Sequence, residues 1–412
     1  MAHFALIAPP LTGHLKPMAA LAGELKRRGH RATFLHEAGA APLAASLGLD
    51  FVPLAPRGPG SVGGWTGTMA RTLGLSGIGG TIGAMARQTE LLCREGPQAV
   101  RAIGADAILA DQLEAAGGLL AEHLRLPFAT ISSALPINRE PGVPPPYLDW
   151  PYDPSEKGLK RNRGGWRIAD LLMRRIGATI ARESKRLGLP PRRRLEDCFS
   201  PLLQVAQAVP GIDFPRRDLP ASFHYLGPFR RSSADDEVEL PDSNGRPLVY
   251  CSFGTLQGSR LHLFERVARA CAELDLRLVL THCGRLTDAQ AARLPGTPFV
   301  RDFLPQEAVL RRVDLVVTHA GFNTVIESLA EGLAMVALPL AFDQPAVGAR
   351  IAYAGVGQAV KPRQASVRRL REAMETVLGD PSYRARSGLI RREIETAGGI
   401  GRAADLIEAR LG

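Results

Sequence analysis

Near the C-terminal third of the chain, the apolar run 313–319 (VDLVVTH) ends in the small-residue turn Ala320-Gly321, and a helix signal opens at Asn323-Thr324. Unpaired backbone N–H groups and the helix dipole converge at such a strand–turn–helix junction, which makes it a ready anion site. Glu327 follows four residues after Asn323, one helical turn on and on the same face. Asp343 and Gln344 come after the next apolar run. The segment offers a helix start for phosphate, a carboxylate for hydroxyls, and two further polar groups. Together these read as a receptor for a nucleotide diphosphate that bears a sugar.

Other candidates sit at strand ends. Thr255, in SFGT (252–255), follows an apolar run and carries a hydroxyl and an N–H for phosphate, with Gly254 permitting a close backbone approach. In FLPQ (303–306), Phe303 can stack on a base and Gln306 can bond its edge or the ribose. The competing reading makes Phe303 a core residue and Gln306 an ordinary helix start. His14, in LTGHLKP, follows the first strand and can take a proton from a hydroxyl if an acid fixes its tautomer. Asp111 ends the strand AILAD and can be that acid. On position alone, a pair of helix-capping residues near 17 and 114 explains them equally well. No serine or cysteine stands in a G-x-S-x-G context, so nucleophilic catalysis is not favoured.

These residues need strands to carry them. Short apolar runs alternate with helical patterns along the chain: 3–9, 31–36, 50–55, 106–111 and 127–132, then again 247–254, 276–282, 298–303, 314–319 and 335–340. Helical stretches near 17–28, 79–100 and 114–125 lie among the first set. Such alternation gives parallel sheets covered on both faces. The expected fold class is α/β, with two Rossmann-like doubly wound domains facing across a cleft where ligands gather at the carboxyl ends of the strands. The polar, aperiodic segment 229–246 marks a linker between a domain at 1–228 and one at 247–412, whose last helix is expected to return to the first.

The chain has 412 residues, five scattered cysteines without metal-type spacing, and a net charge of +10. The cysteines suit a reducing compartment, and the start of the chain lacks a basic leader, so a cytoplasmic location is expected. The charge is local: residues 156–195 hold 13 Lys/Arg against 3 Asp/Glu, and the remainder balances at 38 of each. Within it, 166–188 places Ala169, Leu172, Met173, Ile176 and Ile180 on one helical face, with arginines elsewhere. This is either an ordinary domain helix or a contact for anionic lipid at the inner membrane face. No nucleic-acid reader motif accompanies it. The Gly-rich stretch 74–85 can join it as the mouth of an acceptor tunnel. GPGSVG (58–63) matches G-x-G-x-x-G by letter only, since Pro59 interrupts it and no helix opens from it, and no P-loop occurs.

Taken together, FLPQ, HAGFNTVIESL and PLAFDQP, in this order within 301–346, make the chain similar to the UDP-glycosyltransferase family with two Rossmann-like domains, the GT-B arrangement. The resemblance extends over the whole chain. Stretches such as LLCREGPQAV, SSALPINREP and THCGRLTD bring it nearest to members that glucosylate carotenoids. It implies inverting, metal-independent transfer from UDP-glucose as co-substrate, with no other cofactor, and the absence of a D-x-D triad fits. The implied acceptor is an apolar carotenoid. A macrolide, sterol or flavonoid is the alternative; a sugar-nucleotide epimerase would need a nicotinamide-binding first loop, where LTGHLKP has only one glycine, and a non-catalytic binding protein would be expected to lack the His14–Asp111 pairing. By the same resemblance His14 is the general base and Asp111 its orienting acid. Thr255, His319, Gly321, Asn323 and Thr324 hold the diphosphate. Glu327 holds the ribose, Phe303 and Gln306 the base, and Asp343 and Gln344 the sugar. Ala320 replaces a common glycine and is expected to be tolerated. Thr324 replaces a serine, and Phe303 a tryptophan.

Overall fold

The computed structural model describes residues 1–54, 77–230 and 238–412. GPGSVG, the first residues of the 74–85 stretch, and 231–237 of the expected linker lie outside them. Two parallel sheets carry the described chain. The first has seven strands in the order β3-β2-β1-β4-β5-β6-β7. Its strands are β1 His3–Ile7, β2 Arg31–Glu37, β3 Asp50–Leu54, β4 Ala107–Asp111, β5 Phe128–Ser132, β6 Gln204–Ala206 and β7 Phe223–Tyr225. The second has six in the order β10-β9-β8-β11-β12-β13. These are β8 Leu248–Ser252, β9 Arg277–Thr281, β10 Phe299–Arg301, β11 Leu315–Thr318, β12 Ala334–Ala337 and β13 Gly357–Ala359. β1, β4, β5, β8, β11 and β12 are buried along their whole length, as expected of apolar runs covered on both faces. The reading of two doubly wound Rossmann-like sheets is the observed fold. β6, β7 and β13, each three residues long, are not among the expected runs, whereas the equally short β10 falls within the run 298–303.

In both sheets the winding reverses beside the first strand. β1 lies between β2 and β4, and β8 between β9 and β11. At such a switch point the connections leave in opposite directions and open a crevice at the carboxyl edge. The helices that start there are α1 (Thr12–Arg27) after β1 and, in the second sheet, one after β11 described below. α1 begins earlier than its sequence signal near 17 and carries Pro17 as its sixth residue; the Gly13 carbonyl four residues back, which that ring cannot satisfy, accepts the Asn323 side-chain amide instead. His14 therefore stands on the first turn of a helix and not in a loop.

Helix α2 (Gly77–Ala102) and α3 (Ala116–Leu124) cover the first sheet. The basic segment forms two helices, α4 (Glu156–Leu172) and α5 (Arg174–Arg186), where one continuous helix was expected. The break falls at Met173, with φ −82° and ψ 3°. No glycine or proline stands there, so the sequence carries no local signal for it. One consequence is that Ala169, Ile176 and Ile180 are buried as expected, while Leu172 turns outward at 47% exposure.

The remaining helices used below are α6 (Gln306–Leu310), α7 (Phe322–Ala330), α8 (Gln344–Ala354) and α9 (Gly399–Leu411). α9, last in the chain, crosses back: Ala403, Ala404 and Ile407 join the core of Phe4, Leu6 and Leu21 around β1 and α1. Arg28 ties it there through Asp405 and Glu408, at 2.7 Å each. α8 also bridges the two halves. Arg350 on α8 bonds Asp213 Oδ1 at 2.7 Å, with both side chains 1% exposed. Asp213 receives Arg216 Nε and the Tyr225 hydroxyl on its other oxygen, each at 2.9 Å. The Arg350 guanidinium lies over the Phe214 ring, and Tyr353 packs edge-on against it.

Candidate active site

β1 and β4 are neighbours, with Ile7 opposite Ala110, so the residues that leave them share one edge. This brings His14 and Asp111 together: Nδ1 of His14 lies 3.0 Å from Oδ2 of Asp111. The other carboxylate oxygen accepts the backbone N–H of Leu113 at 2.9 Å, which fixes its direction. An ionised carboxylate can only accept, so Nδ1 carries the shared proton and the neutral ring presents the lone pair of Nε2. Burial alone lowers the pKa of His14, but the Asp111 charge and hydrogen bond outweigh it, with a smaller contribution from Asp343, and the net shift is upward. Such a group is a stronger base than a free imidazole.

β8 and β11 are likewise paired, with Ser252 opposite Thr318, which sets Gly254-Thr255 beside the turn His319-Ala320-Gly321. The His319 ring is held between two glycines. A methyl group on Gly254 would meet its Cε1 at 2.8 Å, and one on Gly321 would meet Nε2 at 2.5 Å. Both positions therefore require glycine, and Gly254 also has φ +67°. Burial lowers the His319 pKa to about 4, so the ring is neutral. Gly321 is the N-cap of α7, and no side chain caps the helix there. Its first N–H groups are free of that competition and suit an anion.

Ala320 has φ 64°, in the left-handed region. The expectation that alanine sits there at no cost is corrected, because a Cβ in that conformation crowds the following carbonyl by roughly 1–2 kcal/mol. Ala320→Gly should raise the free energy of unfolding by about 1 kcal/mol, less the extra freedom glycine gains in the unfolded chain. Urea denaturation of both proteins measures it.

The polar residues on α6 and α7 form one network. Gln306 Nε2 donates to Glu327 Oε2 at 2.5 Å, and the Thr324 hydroxyl donates to Gln306 Oε1 at 3.3 Å. Phe303 is 66% exposed and is not a core residue. Asp343 is the N-cap of α8, so it and Gln344 begin a helix after the turn that follows β12. The Gln344 Oε1 accepts the N–H groups of Leu340 and Ala341 at 2.8 and 2.7 Å, leaving its NH₂ end to address a ligand. The Asp343 pKa is raised by burial, partly offset by His14.

Residues without a sequence signal complete the site. Lys16, on α1, reaches across to Glu327 Oε1 at 3.3 Å. Asn323 Nδ2 donates to the Gly13 carbonyl at 2.6 Å, and Gln207, which follows β6, donates to Asn323 Oδ1 and the Ser133 carbonyl. The two halves thus meet at the start of α7. A small apolar cluster joins Ala84 to Leu11 and Phe342, which precede His14 and Asp343 in the chain. Among the described residues no group of three or more His, Cys, Asp or Glu is placed to hold a metal ion.

Two Rossmann-like domains that each bring a switch point to one cleft form the GT-B arrangement. The same fold is found in the crystal structures of the glycotransferase of kitacinnamycin (TM-score 0.77, 24% identity, covering 100% of this chain and 99% of that one) and of the calicheamicin glycosyltransferase (TM-score 0.77, 22% identity, 100% and 98%). The chain belongs to the UDP-glycosyltransferase family. Residues 207–389 match the family described as UDP-glucoronosyl and UDP-glucosyl transferase. Over its full length it is similar to the zeaxanthin glucosyltransferases of Pantoea ananas (41% identity, 99% of this chain and 96% of that protein) and Pseudescherichia vulneris (42%, 100% and 98%).

Proposed function

We propose that the protein transfers glucose from UDP-glucose to a ring hydroxyl of zeaxanthin, first at one end and then at the other, with inversion at the anomeric carbon. The observation that carries the chemistry is the His14–Asp111 pair at 3.0 Å on the cleft edge. The acceptor and the glucosyl group are supported by identity above 40% across the whole chain to relatives named for zeaxanthin glucosyl transfer, and the UDP carrier by the family description. In this reading Nε2 of His14 takes the hydroxyl proton as the acceptor oxygen attacks C1 of glucose. The bond from C1 to the β-phosphate oxygen breaks, and its electrons leave with UDP. The start of α7 at Gly321, the Asn323 and Thr324 N–H groups, Thr255 and neutral His319 meet the charge that develops there. In comparable settings one such donor is worth about 2.7–4 kcal/mol. Glu327 takes the ribose hydroxyls, Phe303 and Gln306 the base, and Asp343 with the Gln344 amide the sugar.

No described helix is long and apolar enough to cross a membrane. The proposed location is cytoplasmic, with the basic segment 156–195 in peripheral contact with the inner membrane face, where such an acceptor resides. Glu327→Ala should weaken UDP-glucose binding by roughly 10–100-fold, the scale of a charge-assisted hydrogen bond to a hydroxyl, with a smaller effect on kcat. Calorimetric titration measures it, and unaltered donor affinity would remove the ribose role. The acceptor is tested by incubating the protein with labelled UDP-glucose and zeaxanthin, a sterol, a flavonoid or a macrolide. Label should pass to zeaxanthin in preference, and transfer to another of these instead would overturn the acceptor assignment.

A further inference from the structure

The end of α4 carries an apolar surface that the core does not use. Ile168, Leu171 and Leu172 are 61%, 64% and 47% exposed. Their i, i+3, i+4 spacing puts them side by side on one face. The opposite face is packed: Trp166 and Ala169 are buried, and the Trp166 indole donates to the Val143 carbonyl at 3.0 Å. The helix is therefore seated, and its outer leucines are not a misplaced core stripe. Arg167 precedes them and Arg174 and Arg175 follow at the start of α5, all exposed. Contiguous exposed apolar side chains cost solubility and mark contact surfaces. Leucines ringed by arginines match a bilayer interface, where the cations meet headgroup phosphates and the apolar tips enter the acyl boundary. A polyanion such as RNA would answer the charge and leave the leucines unexplained.

We propose that the junction of α4 and α5 is a docking surface for an anionic lipid bilayer, with Ile168, Leu171 and Leu172 inserted and Arg167, Arg174 and Arg175 on the headgroups. The surface is joined to the cleft. The Arg175 guanidinium crosses α2 so closely that a methyl on Gly83 would meet its Nη1 at 2.9 Å. The next residue, Ala84, packs against Leu11 and Phe342, which neighbour His14 and Asp343 in the chain. The start of α2 therefore runs from the docked surface to the catalytic edge, where Ala84, Leu11 and Phe342 form a small apolar contact for an acceptor. This inference rests on the reading that the acceptor is dissolved in a membrane.

Flotation of the full-length protein with vesicles tests it, using phosphatidylcholine alone or mixed with phosphatidylglycerol. Wild type should float with the anionic vesicles and not with the neutral ones. The variant carrying Ile168→Ser, Leu171→Ser and Leu172→Ser should bind about tenfold less, since the buried apolar area sets the affinity. Both proteins should glucosylate zeaxanthin equally in detergent micelles, which also shows that the variant folds, while transfer from vesicles should fall about tenfold for the variant. Absence of wild-type binding, or equal binding by the variant, would overturn the docking surface, and the latter would indicate a polyanion contact by charge alone. A wild-type dimer that the serine variant dissociates would assign the surface to a second copy instead. If neither protein acts on zeaxanthin in micelles, the acceptor reading fails, while flotation still decides the docking surface.

Discussion

Replacing His14 with alanine is expected to lower kcat for glucosyl transfer by about 10²–10⁴-fold while the Kd for UDP stays unchanged. The split follows from geometry. His14 stands on the first sheet's edge, and the residues assigned to UDP stand on the second. Removing the imidazole takes away the proton acceptor and leaves the anion site at α7 intact. Asp111→Asn gives a second, more discriminating result. The carboxylate raises the His14 pKa against the pull of burial. The base works only when neutral, so kcat/KM rises with pH through that raised pKa. An asparagine removes the charge, the pKa falls, and the acidic limb of the profile moves to lower pH even as the rate drops. A merely structural Asp111 would lower activity without moving the limb. Full turnover by His14→Ala would remove the base assignment altogether.

Asp213→Ala is expected to cost about 3–5 kcal/mol of folding stability, the scale for stripping the partner from buried charge. Asp213 faces two guanidiniums, Arg216 and Arg350, which are 4% and 1% exposed. Burial would raise its pKa, but the two cations overcome this and hold it at about 2. The sign of the pH dependence follows. A depressed carboxyl contributes stability that is present above its unfolded pKa of about 3.9 and is lost as pH falls towards the folded value. Wild type should therefore lose more stability between pH 5 and pH 2 than Asp213→Ala does. Urea unfolding across that range gives both quantities. Because Arg350 lies on α8, whose first turn carries Asp343 and Gln344, folded variant protein should also show weakened donor binding. Equal stability of the two proteins would mean that water or a neighbour already compensates the arginines.

The sequence made the long strands and the two switch-point helices legible because they are apolar runs followed by small-residue turns, and these patterns reflect local physics. His14 and Asp111 could be placed at one edge from β1 and β4 alone. What stayed hidden depends on contacts between distant segments. The three-residue strands β6, β7 and β13 are held by neighbours and have no period of their own. Lys16 and Gln207 reach the site from the other half of the chain, and nothing around them in sequence points to Glu327 or Asn323. Met173 breaks a helix without glycine or proline, so the outward turn of Leu172 could not be read from spacing. Ala320 was judged by residue type, and only its backbone angle reveals the strain.

The central claim is that His14 directs a single displacement at the anomeric carbon of UDP-glucose on a xanthophyll hydroxyl. The most direct measurement is the anomeric proton coupling of the product by NMR, after incubation of wild type and His14→Ala with UDP-glucose and zeaxanthin. UDP-glucose is an α-glycoside, so one in-line attack gives β-glucosides, first the mono- and then the diglucoside, from wild type and almost none from the variant. An α-linked product, no carotenoid glucoside from wild type, or equal yields from the two proteins would contradict the account.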